Sequence, residues 1–202
     1  MFALVESGSI TKMLNGNRGI TVDGVQHPRT IFTLWTEAER NAIGIYTVEI
    51  DESKKKDEQW YVNTNITYSF DGSKVTGSYG DATAKAHADT LYTSQDKTDN
   101  KISEGKDVGD VKTEGLKTVL IRDIKKQAQS ELNRTDWYIT RKSEKDTAIP
   151  SSITTHRDAV RAKQTEMETA ITNASDTPAL ETLYTRDENA ERPLGDLPTL
   201  ED

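Results

Sequence analysis

The feature that most constrains this chain is an apolar stripe at steps of four: Leu116, Leu120, Ile124, Ala128 and Leu132, with Val119 and Ile121 beside them. Successive residues of an α-helix rotate by about 100°, so steps of three and four put these side chains on one face. The stripe stops at Asn133-Arg134-Thr135-Asp136, whose side chains compete with helical hydrogen bonding or suit caps. Trp137, Tyr138 and Ile139 follow as a bulky corner, with Arg134, Arg141 and Lys142 as a solvated rim or an anion site. Pro150, tolerated in a first helical turn, opens a second helix. Its thinner stripe of Ile153, Val160, Met167, Ala170 and Ile171 is separated by Arg157, Arg161 and Lys163. Two amphipathic helices joined by a short connection pack antiparallel. The spacing therefore predicts a helical hairpin over 116–174 whose closed end is filled by Trp137. A buried Trp137 implies that its replacement by Ala costs about 3–5 kcal/mol. The anchors of fold and interaction are Leu116, Leu120, Ile124, Leu132, Trp137, Tyr138, Ile153, Arg157, Val160 and Met167.

The first 80 residues alternate short apolar runs with turn signals. Phe2–Val5 and Ile10–Leu14 flank Ser7-Gly8-Ser9, and Ile20–Val22 and Val25–His27 flank Asp23-Gly24, a dipeptide suited to a two-residue hairpin. Thr36-Glu37-Ala38-Glu39 reads as a capping box for a short helix stopping at Gly44. Ile45–Ile50 and Trp60–Val62 are strands. Ile66–Phe70 and Val75–Tyr79 bracket Asp71-Gly72, a second hairpin of the same turn chemistry. Residues 1–80 thus read as a small, mostly antiparallel β domain of one sheet or two mini-sheets, with one short helix. From 81 to 112 the chain is dominated by small and charged residues and reads as a polar linker or an arm laid along a partner, with a short helix possible at 82–92. Residues 113–184 hold the hairpin and a third short helix opened by Asp176 or Thr177 before Pro178; residues 185–202 form an acidic tail without regular structure. The expected class is α+β.

Composition narrows the chemistry. One third of the residues are hydrophobic and 30% are charged, lean for a chain of 202, so part of it is extended or a partner completes its contact surface. A net charge of −8 argues against nucleic-acid binding, which needs clustered cations. With no cysteine, disulfides, thiolate catalysis and Cys-ligated metals are excluded. No apolar run approaches the roughly 20 residues of a membrane span, and the amino terminus lacks the form of a signal peptide. His27, His87 and His156 are far apart and none has a partner at metal-ligand spacing; His156 reads as a helix-surface residue. Asn15-Gly16-Asn17-Arg18-Gly19 lacks the following Lys-Ser/Thr of a phosphate cradle, and Ser151-Ser152 lacks a nucleophile-elbow context. These patterns point to no enzyme and no cofactor.

The span Leu132-Asn133-Arg134-Thr135-Asp136-Trp137, its basic-acidic corner, Ile149-Pro150 and His156-Arg157-Asp158-Ala159-Val160-Arg161 resembles the C-terminal helical hairpin of bacteriophage tail proteins, of the virion structural and tail-fibre assembly type. The resemblance covers residues 116–184. It implies a non-enzymatic tail structural protein, an adaptor at the baseplate or fibre attachment, retained in the virion after synthesis in the host cytoplasm. Its partners would be other tail proteins in multiple copies. A tail-fibre assembly chaperone is the alternative. A third expectation, from the residues alone, is a carbohydrate or host-receptor module using Trp35, Trp60, Tyr61 and Tyr79.

Overall fold

The structure, a computed structural model, describes residues 1–200. It is mixed α+β, with an N-terminal β region and C-terminal helices, and divides into two compact units, Met1–Thr83 and Ala84–Asp202.

The first unit is built on a five-stranded sheet in the order β2-β1-β5-β8-β7. Its strands are β1 (Phe2–Glu6), β2 (Ser9–Leu14), β5 (Ile45–Asp51), β7 (Thr67–Phe70) and β8 (Val75–Ser78). Beside it lie the hairpin of β3 (Ile20–Val22) and β4 (Val25–His27), and the short helices α1 (Ile31–Leu34) and α2 (Glu37–Ala42). Asp23 and Gly24 take φ of 47° and 78°, so both central residues of the β3–β4 turn have the positive φ that this dipeptide favours. The turn at Asp71 is different: Asp71 Oδ1 accepts from the amides of Ser73 and Lys74, and only Gly72 takes positive φ. The loop is therefore organised by an Asp side chain and not by a two-residue turn. These two bonds, that from Lys74 first, together with that from the Ser73 hydroxyl, pull the Asp71 pKa down to about 2.

Thr36 and Glu39 form the expected capping box on α2. The chain leaves α2 through Gly44, φ +77°, whose amide closes on Asn41 O and whose α-carbon sits against Val5 O. A Cβ there would lie 2.5 Å from that carbonyl, so glycine is required twice over. The sheet is mostly antiparallel, as expected, but β5 and β8 pair in parallel, from Val48↔Val75 to Asp51↔Ser78. The β7–β8 hairpin enters with β7 on the outside, which leaves β8 beside β5. Alternation along β1 serves two cores. Leu4 joins Leu14, Ile20, Val22, Ile31, Phe32 and Ile45, while Ala3 and Val5 join Val48 and Val75. Two residues of β6 (Tyr61–Val62) pair with β9 (Thr83–Ala84).

The second unit contains β10 (Thr90–Leu91), α3 (Ser94–Thr98), β11 (Val111–Thr113), α4 (Leu116–Asn133), α5 (Asp136–Lys145), α6 (Ser151–Asn173) and α7 (Thr177–Tyr184). The segment expected as an extended arm is folded. β10 pairs with β11, Tyr92 is buried, and its hydroxyl meets Ser103 Oγ at 2.7 Å. Thr93 and Asp96 make a second capping box, and Lys112 Nζ reaches Asp96 Oδ1 at 2.5 Å. One buried aromatic and a closed set of polar bonds thus organise a stretch with no hydrophobic period. No helix forms over 82–92; its residues instead cap α4. Gly115 N donates to Asp89 Oδ1 (2.6 Å), Leu116 N to Ala86 O (3.0 Å) and Lys117 N to His87 O (3.0 Å). Three of the four amides that every helix leaves orphaned are satisfied from outside the helix. Gly115 is needed because a Cβ would lie 2.3 Å from the Ala88 carbonyl carbon.

Asp176 caps α7 through the Ala179 amide, with Pro178 in the first turn, as the sequence implies. Pro150 itself is the N-cap of α6, one position earlier than expected. Residues 185–200 have no helix or strand, yet they are held: Leu194 is 1% exposed and its amide donates to Leu183 O.

Candidate interaction site

The predicted stripe of α4 is one side of the helical core. Leu120, Ile124 and Ala128 are buried and Leu116 and Leu132 half-buried, opposite Ile153, Val160, Met167 and Ile171 of α6. Bonds between the two helices run in opposite sequence order. Lys117 Nζ donates to Thr172 O at 2.8 Å, Lys125 faces Glu168 at 3.4 Å, and His156 Nε2 meets Glu131 Oε1 at 3.1 Å.

At the carboxyl end of α4 the space reserved for an indole is occupied by Arg157. Spaced four from Ile153 and three from Val160, Arg157 belongs to the buried stripe of α6 and does not interrupt it. Its Nη1 lies 2.8 Å from Leu132 O, 2.7 Å from Thr135 Oγ1 and 2.9 Å from Asp136 Oδ1. Thr135, fully buried, donates its own hydroxyl hydrogen bond to Leu132 O at 3.0 Å. A cation at a helix C-terminus meets the unpaired carbonyls and the negative end of the dipole. The Leu-x-x-Thr-Asp and His-Arg segments quoted above are thus two halves of one polar lock.

Beside it, Glu131 gathers three neighbours. Its Oε1 accepts from Arg134, from the Leu200 amide (3.0 Å) and pairs with His156. Burial pushes the Glu131 carboxyl up, but the Leu200 amide and the Arg134 guanidinium outweigh it and hold its pKa below the ordinary 4.5. The His156 side chain is only 8% exposed, so it faces α4 and is no surface histidine.

Trp137 is the main correction. It is 52% exposed and Ile139 43% exposed, while Tyr138 is half-buried. The corner expected between two helices is itself a helix, α5, with no buried residue. Helical rotation sets Trp137 and Arg141 one turn apart on its outer side, and the indole stacks on Tyr138 at 3.8 Å between centroids. The Arg141 guanidinium lies 4.7 Å from the Trp137 ring and 5.2 Å from that of Tyr138. Of the other corner cations, Arg134 pairs with Glu131 and Lys142 with Asp146, so neither is a free anion site.

No protein-family model, no curated protein and no solved structure matches this chain. The phage-tail resemblance therefore rests on the quoted residues alone. Among the described residues no helix is long and apolar enough to cross a membrane, and no three His, Asp or Glu side chains are grouped to hold a metal. Trp60 and Tyr61 are 3% and 5% exposed, which places them in the core and takes them out of a sugar-stacking platform.

The anchors thus divide. Leu116, Leu120, Ile124, Leu132, Ile153, Arg157, Val160 and Met167 hold α4 against α6, whereas Trp137, with Tyr138 beside it, faces outward. The sequence places Arg141 on the rim of the Trp137 corner but does not show that its guanidinium lies over the Trp137 and Tyr138 rings. The signal for that contact is the step of four from Trp137 to Arg141, which is one turn of α5.

Proposed function

We propose that this chain is a non-enzymatic bacteriophage tail protein, an adaptor at the baseplate or tail-fibre attachment that stays in the virion. In this reading α4 and α6 are the antiparallel arms of a helical hairpin, and α5 is the bridge that presents its contact surface to neighbouring tail subunits. The single observation that carries it is the half-exposed Trp137, stacked with Tyr138 and Arg141 on a helix that has no fully buried residue. A half-exposed Trp beside Arg has the composition of an interface hot spot. The polar lock supports the same reading, because it accounts for Leu132, Thr135, Asp136 and Arg157 of the phage-like motif by folding and leaves Trp137 half-exposed. The residue left over is free for contact.

Mass spectrometry of purified particles tests the proposal: the chain should be present in a fixed, multiple copy number per tail. Trp137→Ala should fold normally and be depleted from particles. Absence of the wild-type chain from particles, combined with a raised yield of soluble fibre on co-expression, would replace the adaptor by the assembly chaperone.

A further inference from the structure

The first unit holds eight Lys and Arg residues. Five have partners: Lys54 with Asp81, Lys55 with Glu52, Lys74 with Glu49, Arg40 with Trp35 O, and Lys56 over the Tyr61 ring. The side chains of the other three, Lys12, Arg18 and Arg29, have no partner among the described residues. All three converge on one concave region. Lys12 and Arg18, with Asn15 and Asn17, line a cleft of about 570 Å³ between β2, the 15–19 loop and β3. Arg18 and Arg29, with His27, line a second cleft of about 410 Å³. Arg18 and Gly19 belong to both, so the two clefts share a wall.

The local charge is opposite to that of the chain. Residues 7–36 carry three cations against one carboxylate, Asp23, a net of +2 in a protein of −8. In so acidic a chain an unpaired cation finds acids easily, and three left unpaired around one hollow are a coherent donor set. The side-chain amides of Asn15 and Asn17 are also without a partner among the described residues. Glu6 is the one carboxylate on the larger cleft, and it accepts the Thr11 hydroxyl at 2.5 Å. Cavities of about 300–1,000 Å³ are the size of small-molecule sites, and an Arg fork matches phosphate oxygens in pairs. Each phosphate group concentrates up to two charges and three acceptors in a small volume, which suits three cations spread over two joined hollows.

We infer that the paired clefts around Arg18 bind a small ligand carrying two or more phosphate groups. The inference is independent of the tail assignment. Isothermal titration of the full chain with tripolyphosphate, at constant ionic strength, should give saturable 1:1 binding. Arg18→Ala, which opens both clefts, should weaken it at least about tenfold, the loss of one charge-assisted contact. Lys12→Ala and Arg29→Ala should each weaken it less, and Lys74→Ala, on an exposed paired cation, should leave it unchanged. Amide shifts in a 15N-labelled sample should centre on residues 12–29, a readout that survives even if one variant unfolds. Comparing ADP with inositol hexakisphosphate separates a nucleotide from a sugar-borne polyphosphate, and equal affinities leave free oligophosphate. Absence of saturable binding, or an equal loss in Lys74→Ala, overturns the inference.

Discussion

At the scale of single residues, the lock at Arg157 is where burial and charge meet. Removing one partner of a buried charged pair leaves the others desolvated and unpaired, typically at about 3–5 kcal/mol. The Asp136 side chain is half exposed, so water can replace part of what is lost there. Arg157→Ala should therefore fall near the lower end, about 3 kcal/mol, whereas Asp136→Asn should cost less than about 1 kcal/mol. Denaturant unfolding followed by far-UV circular dichroism measures both; equal costs would mean that Leu132 O and Thr135 contribute nothing. Trp137→Ala should cost under about 1 kcal/mol, the range of an exposed substitution, and not the cost of emptying a core. Glu131 gives the pH dependence. Its folded-state pKa is lowered, so its contribution is complete above the unfolded value of 4.5 and is lost as pH falls through the folded value. Wild-type Tm should drop on acidification below that value more steeply than the Tm of Glu131→Gln. Parallel curves would exclude Glu131 as a source of the acid sensitivity.

At the scale of elements, α4 shows how a helix is started by residues far away in sequence. Asp89, through Gly115 N and the Thr118 hydroxyl at 2.9 Å, does from 26 positions upstream what an N-cap does locally. Those two bonds, Gly115 first, hold its carboxyl below the usual aspartate value. Asp89→Ala should lower Tm by a few degrees, and Asp89→Asn, which keeps an acceptor oxygen, by less. Hydrogen exchange should show the loss concentrated at Gly115–Lys117; uniform loss across both units would refute a capping role. The same element shows what was legible beforehand. The stripe from Leu116 to Leu132 and the box at Thr36 are local patterns, and local patterns survive folding because their partners lie within one turn. Asp89 has no local signature, since its partner is placed by the loop closed at Tyr92. Trp137 was misplaced for a related reason. Bulk and hydrophobicity suggest burial, but which side of α5 faces inward depends on Arg157, a residue that hydrophobic patterns class as solvent-facing. Of the candidate site, the motif was legible and its division into a folding half and an exposed half was not.

At the scale of the whole molecule, a chain one-third hydrophobic is held by several small apolar clusters, each closed by polar bonds at its rim. When cores are this small, one apolar side chain brought in from a distant segment is a large fraction of its cluster. The carboxyl-terminal stretch supplies such a side chain. Leu194 is 1% exposed, its amide is fixed to Leu183 O, and Arg192 lies 5.1 Å over the Tyr184 ring while pairing with Asp196 at 2.7 Å. Further on, the Leu200 amide reaches Glu131 at the end of α4, so the tail ties α7 to the lock around Arg157. An acidic, proline-containing segment without regular structure is thus a packed strap. Leu194→Ala should cost about 2–4 kcal/mol, the range for emptying a buried leucine site. Truncation after Thr185 should cost at least as much, because it removes Leu194 together with the Leu200–Glu131 bond. Guanidinium unfolding of both variants distinguishes the strap from a free tail. A truncated chain with wild-type stability would show that residues 186–200 add nothing to the fold and that α7 closes the core alone.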